Sequence, residues 1–221
     1  YDHIPFEDVS GKDVLEIGLG YGTIAQLLME REANYRGLDI AQGPVDMARH
    51  RAGLLNVVAN ITQGSALAIP YPDESFDHVV TIGCLHHTGD LAGALKEVHR
   101  CLKPGGKASI MVYSALSYRQ WQSNAIQTLW RAIKPSFVWT NADASMRKAY
   151  DANVTGGEAP QTTFISPREA RLFLETLFKH VVVQPENIGS DFLPARHMSR
   201  TRALKLFGGW LGLDLYITCQ K

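Results

Sequence analysis

Three glycines at alternate positions, Gly18, Gly20 and Gly22, follow directly on the apolar run VLEI, whose one acid is Glu16. A strand that runs into a glycine-rich turn and then a helix lets backbone amides approach a ligand closely, because no Cβ stands in the way. Asp39 lies about twenty residues further on, in the stretch LDI, where an acid accepts hydrogen bonds from both hydroxyls of a ribose. Glycine turn and acid together point to an adenine nucleoside. A dinucleotide fingerprint needs its last glycine where this chain has Thr23, and Glu16 beside the turn repels a diphosphate. An acid there suits a ligand carrying an ammonium and a sulfonium.

Two further places could handle a proton. His86 and His87 follow the run FDHVVTIG, and Tyr113 closes the run KASIMVY. A neutral imidazole at such a strand end could accept a proton; the alternative is a histidine that hydrogen-bonds a neighbouring loop and orders the site. Tyr113 either orients an acceptor or packs at the rim.

These groups need a scaffold that brings distant strand ends together. Strand-length apolar runs alternate with segments of helical period, the pattern of an α/β fold with a largely parallel sheet. DVLEIG, YRGLDI, NVVANITQG, FDHVVTIG and KASIMVY read as five strands, and HVVVQPENI and LDLYITCQK as two more that pair antiparallel for want of a crossover helix. Asp90 caps a helix whose Leu91, Leu95, Val98 and Leu102 form one stripe, and KPGG stops it with a tight turn. Ser166, Pro167 and Glu169 form a capping box, with Ala170, Phe173, Leu174 and Leu177 as the buried face behind it.

Between residues 114 and 163 the rhythm breaks. Ile126, Leu129, Trp130 and Ile133 there predict an amphipathic helix, ended by Pro135 and packed by its apolar face onto the domain. The break reads as an insertion in one domain spanning residues 1–221. The stretch 195–212, with Arg196, Arg200, Arg202 and Lys205, reads as a basic solvated loop anchored by its tryptophan, or as a segment touching a phosphorylated acceptor or a membrane surface.

Composition excludes several classes. Lys plus Arg and Asp plus Glu number 22 each, so no global field draws the chain to nucleic acid. No run is long and apolar enough to span a bilayer, and no leader opens the sequence, so the expectation is a soluble, cytoplasmic protein without an integral membrane segment. Cys84, Cys101 and Cys219 have no paired spacing, so no metal site is expected. A homodimer is allowed.

In order and spacing, VLEIGLGYGT, LDI, GSALAIPYPDESFDHVVTIGCLHHT and EVHRCLKPGG resemble the successive motifs of class I S-adenosylmethionine-dependent methyltransferases, most closely the small-molecule type 11 group, over roughly residues 10–113. The resemblance implies a Rossmann-like sheet of seven strands, mostly parallel with an antiparallel last strand, and S-adenosyl-L-methionine as cofactor. Gly18, Gly20 and Gly22 would hold the methionine part with Glu16 in the acidic position, Asp39 the ribose, and Ile40 would pack on adenine. Where the family has an aspartate for the adenine amine this chain has Ser65, next to Ala66; Ser65 can accept one hydrogen bond. Gly83, Cys84 and Leu85 would lie beside the sulfonium.

The implied reaction is methyl transfer to a small-molecule acceptor, with oxygen favoured over nitrogen or carbon. His87, His86 and Tyr113 are the candidate catalytic groups, and the 114–163 insertion, with its aromatics and arginines, would cover the acceptor. RNA methylation, a nicotinamide oxidoreductase and a cofactor-binding domain without turnover are the alternatives.

Overall fold

Seven strands carry the fold in the computed structural model, which describes residues 3, 4, 6–134, 139, 142–151, 160–192 and 197–221. They are β1 (Asp13–Ile17), β2 (Asn34–Asp39), β3 (Asn60–Gln63), β4 (Phe76–Ile82), β5 (Leu102–Tyr113), β6 (Lys179–Glu186) and β7 (Asp214–Gln220). They form one sheet in the order β3-β2-β1-β4-β5-β7-β6. The first five are parallel, and β7 lies antiparallel between β5 and β6, with Tyr113 opposite Asp214. The expected Rossmann-like sheet is therefore present.

Both faces of the central strands are buried, as a parallel sheet requires. On one side Val14 and Val80 pack against α1 (Thr23–Met29) and α2 (Gln42–Leu54) through Ala25, Leu28, Val45 and Ala48. On the other, Leu15 and Val79 share a core with α3 (Leu91–Cys101) and α6 (Pro167–Leu174). Both predicted caps form. Asp90 accepts the Gly93 amide at 2.8 Å, and Ser166 and Glu169 complete the reciprocal box at 3.2 and 2.8 Å.

Four local readings need correction. The third strand is short, because Asn56 turns left-handed and Val57 donates back to Ala52 at 3.0 Å, so these residues close α2 instead of extending the sheet. KPGG belongs to β5, which starts at Leu102 and slips register across a bulge. The stretch expected as a loop before β7 is helical from Arg200 to Leu211, with a π-helical turn at Leu204–Gly208 between α7 (Arg200–Ala203) and α8 (Gly209–Leu211). Its Trp210 is 68% exposed, and its indole N–H donates to the Leu206 carbonyl of the same stretch at 3.1 Å.

The fourth correction concerns the insertion. It contains α4 (Tyr118–Ile133), broken at Asn124, and α5 (Ala144–Asp151). The stripe Ile126, Leu129, Trp130 and Ile133 is 50–74% exposed, not packed. Beyond Asn124 the inward side of α4 is polar: Thr128 is buried, and Arg131 reaches the fully buried Glu169 at 3.3 Å. The ion pair to α6 lies on the inward side and the apolar stripe faces outward. Pro135, Phe137 and Arg196 lie outside the described residues.

Candidate active site

Strand order reverses between β1 and β4, since the chain leaves β1 toward β2 and leaves β4 toward β5; open α/β sheets bind ligands at that switch point. A cavity of about 200 Å³ lies there, lined by Ile17, Gly18, Leu38, Asp39, Ile40, Gly64, Ser65, Ala66, Leu67, Cys84, His87 and Thr88. The topology thus gathers the ends of β1, β2, β3 and β4, distant in sequence, around one space.

Gly18 is bare for a reason that the sequence hides. Its φ is +84°, and a Cβ there would overlap the Cβ and Sγ of Cys84 from the adjacent strand end. At Gly22, φ +71°, the same space holds the Arg51 side chain, whereas a Cβ on Gly20 would meet nothing within 4 Å. Gly18 therefore serves close packing of two loops, and Gly20 presents open backbone. Of the three, only Gly18 lines the cavity.

Asp39 has a double task. Oδ2 accepts the Leu19 amide at 2.7 Å and Oδ1 accepts the Ala41 amide at 2.9 Å, so the carboxylate ties the glycine turn to the end of β2. Each oxygen keeps a second lone pair, which suits a diol. Ile40 is 72% exposed and Leu67 40% exposed beside it, two apolar surfaces open to a flat ring. The Ser65 hydroxyl accepts the Leu67 amide at 3.1 Å, so the acceptor capacity expected of it is partly spent on its own turn.

Glu16 does not line the cavity. It lies beneath the turn, 1% exposed, and accepts a 2.6 Å hydrogen bond from the Tyr35 hydroxyl. Burial pushes its carboxyl up to about 8, aided by the nearby Asp39 charge and opposed by the Tyr35 hydrogen bond. Leu85 is sealed in the core, and Gly83, at φ +75°, turns the chain into the loop. Burial also pushes the Cys84 thiol up to about 12, so it stays a neutral SH.

The two histidines differ. His86 is wholly buried, and neither of its ring nitrogens has a hydrogen-bond partner among the described residues; burial holds it well below the usual imidazole range, so it is uncharged. Its ring packs 4.1 Å from Tyr113 and 4.0 Å from His87. His87 reaches the cavity, and its Nδ1 lies 2.9 Å from the Gln161 carbonyl oxygen. A carbonyl only accepts, so Nδ1 is the donor in that contact. Tyr113 stands one ring away, stacked toward Phe164 and Tyr150.

The wall behind His87 comes from the returning end of the insertion. The Thr163 amide bonds the His86 carbonyl at 2.8 Å, the Ile165 amide bonds the Tyr113 carbonyl at 3.2 Å, and the Ala115 amide bonds the Ile165 carbonyl at 2.9 Å. No sequence signal marked Gln161 or Thr162, which sit 74 and 75 residues from His87. Leu67 and Thr88 also escaped notice, being ordinary residue types in turns.

Residues 15–110 match the family model described as "Methyltransferase domain". Over those residues, under half of the chain, the similarity is to methyltransferase domains. The chain is 31% identical over 106 residues to demethylmenaquinone methyltransferase of Tropheryma whipplei, a match covering 48% of this chain and 43% of that protein. It is 38% identical over 101 residues to fatty-acid O-methyltransferase of Mycolicibacterium smegmatis, covering 45% and 36%. The chain thus spans less than half the length of these relatives. A crystal structure of 1,6-didemethyltoxoflavin-N1-methyltransferase from Burkholderia thailandensis, with bound 1,6-didemethyltoxoflavin and S-adenosylhomocysteine, has a TM-score of 0.58 at 15% identity, covering 96% of this chain and 72% of that one. That likeness is one of fold.

Proposed function

We propose that this protein is a methyltransferase that uses S-adenosylmethionine to methylate an oxygen of a small-molecule acceptor, with His87 as general base. The observation that carries the reading is the 2.9 Å contact between His87 Nδ1 and the Gln161 carbonyl oxygen, which would make Nε2 the basic nitrogen of a residue lining the cavity that also contains Asp39 and Cys84. The cavity suits the cofactor's parts. Asp39 offers lone pairs to a ribose, Ile40 and Leu67 offer apolar faces to adenine, and the methionine moiety would lie along Gly18 at the cavity wall toward the uncrowded Gly20. When bound, the cofactor supplies a methyl group on a sulfonium.

The chain's own work is alignment, exclusion of water and one proton transfer. A hydroxyl must lose its proton as it becomes a nucleophile, and the lone pair of His87 Nε2 would take it. The Cys84 thiol, held neutral, offers no competing thiolate. The insertion supplies the wall beside His87, and with Tyr113, Tyr150 and Phe164 it gives the acceptor side an aromatic character. The named activities of the relatives, on a demethylmenaquinone and on a fatty acid, support an acceptor of small-molecule size.

The test has two readings. Calorimetry with S-adenosylmethionine, S-adenosylhomocysteine and NADH should show binding of the first two alone; binding of NADH alone would end the methyltransferase activity proposed here. With alcohol and phenol acceptors, His87→Ala should lower kcat by about 10²–10⁴-fold with homocysteine-nucleoside affinity unchanged. An unchanged rate, or a product methylated on carbon or nitrogen, would remove the base and the oxygen from the proposal.

A further inference from the structure

Beyond Asn124, α4 is an inverted amphipathic helix: its polar side, Thr128 and Arg131, faces the protein, and Ile126, Leu129, Trp130 and Ile133 face away. A second element nearby repeats the pattern. In the helical stretch Arg200–Leu211, Leu206 and Trp210 are 48% and 68% exposed, while Ala203, Leu204, Phe207 and Leu211 pack with Tyr118 of α4, Ile188 and Phe192. That shared cluster joins the two elements. Both lie at the sheet edge of the candidate site, because α4 follows the end of β5 and the stretch Arg200–Leu211 precedes Asp214, which pairs with Tyr113.

Charge indicates what covers these faces. The whole chain is balanced, yet no Asp or Glu occurs between Glu97 and Asp143, nor between Asp191 and Asp214. Lys134, Arg202 and Lys205 are exposed within those acid-free stretches, beside the exposed tryptophans. A second copy placed on α4 about a two-fold axis would set basic ends against each other or against glutamine and serine. An anionic surface meets both the cations and the apolar side chains, and exposed Trp with flanking Lys and Arg is the make-up of helices that lie in the lipid headgroup region. No helix among the described residues is long and apolar enough to cross a membrane, so the contact is peripheral.

We propose that α4 and the helical stretch Arg200–Leu211 dock this protein onto an anionic lipid bilayer, with the candidate site's edge toward the membrane. Neither the fold nor the proposed reaction depends on this docking.

The experiment is co-sedimentation of the full chain with phosphatidylcholine vesicles, with and without phosphatidylglycerol, at low and high salt. Retention should require phosphatidylglycerol, fall as salt rises, and shift Trp fluorescence to the blue. Neutralising Lys134, Arg202 and Lys205 to Gln together should weaken retention on the order of a hundredfold, at about fivefold per cation. Trp130→Ser with Ile133→Ser and Trp210→Ser should abolish the fluorescence shift; all three residues are solvent-facing, so circular dichroism should be unchanged. No retention on either vesicle, equal retention on both, or a wild-type dimer that the serine variant converts to monomer would overturn the proposal, the last by assigning the face to a second copy.

Discussion

The Tyr35 hydroxyl donates a 2.6 Å hydrogen bond to Oε2 of Glu16 directly beneath the glycine turn, and both side chains are closed to solvent. Burial raises the Glu16 carboxyl from 4.5 to about 8. Between those values the unfolded chain has lost this proton while the folded chain keeps it, so Glu16 makes stability fall as pH rises, by roughly 1.4 kcal/mol per pH unit across the window. Glu16→Gln keeps an acceptor for Tyr35 and removes the titration. Urea melts at pH 5 and pH 8 should show a smaller pH-dependent loss of stability in the variant; an identical slope would mean that Glu16 is ionised in the folded protein.

Asp39 should matter twice. Asp39→Ala removes the acceptor of the Leu19 and Ala41 amides along with the proposed ribose contact. Hydrogen bonds to a charged group contribute about 1.5–3 kcal/mol each, so homocysteine-nucleoside affinity should drop by about tenfold to a hundredfold or more, with a lowered Tm in the ligand-free protein. A lowered affinity at constant Tm would mean that the backbone amides find other acceptors.

Gly18→Ala combines a left-handed backbone with overlap onto Cys84. Together these should cost at least about 3 kcal/mol. Adding Cys84→Gly clears the overlapping Cβ and should restore part of that loss, leaving the backbone strain. Denaturation of the single and double variants separates the two contributions; no recovery in the double variant would place the whole cost in φ.

Arg131→Ala should destabilise by about 2 kcal/mol, because it removes the guanidinium facing the fully buried Glu169. Glu169→Gln should cost less than Glu169→Ala, since glutamine still fits the capping box at Ser166. At about 2–4 °C per kcal/mol for a chain of this size, a melting curve resolves the order. Equal effects of Gln and Ala would mean that charge, not capping, holds Glu169 in place.

Much of the fold was legible because strand runs and caps are local signals: Asp90, Ser166 and Glu169 announce helix starts in their own side chains. The cavity residues Gly18, Asp39, Ser65 and Cys84 were legible for a related reason, since the motifs sit at strand ends and the topology brings strand ends together. What escaped was long-range. Nothing near Ile126 indicates that Arg131 finds Glu169 on another helix while the stripe faces outward. Nothing near His87 names a carbonyl 74 residues away as its partner. Periodicity reports which residues share a face, and only a tertiary contact reports which way that face looks.

The stretch from Gln161 to Ile165 sews the loops after β4 and β5 together, and through the Gln161 carbonyl it also holds the His87 ring by its Nδ1. Loosening of this one strap and loss of the proposed base are then a single event, far smaller than unfolding of the sheet. Heating should disarm the catalyst before it melts the fold, so that the temperature at which turnover fails lies below the midpoint seen by circular dichroism.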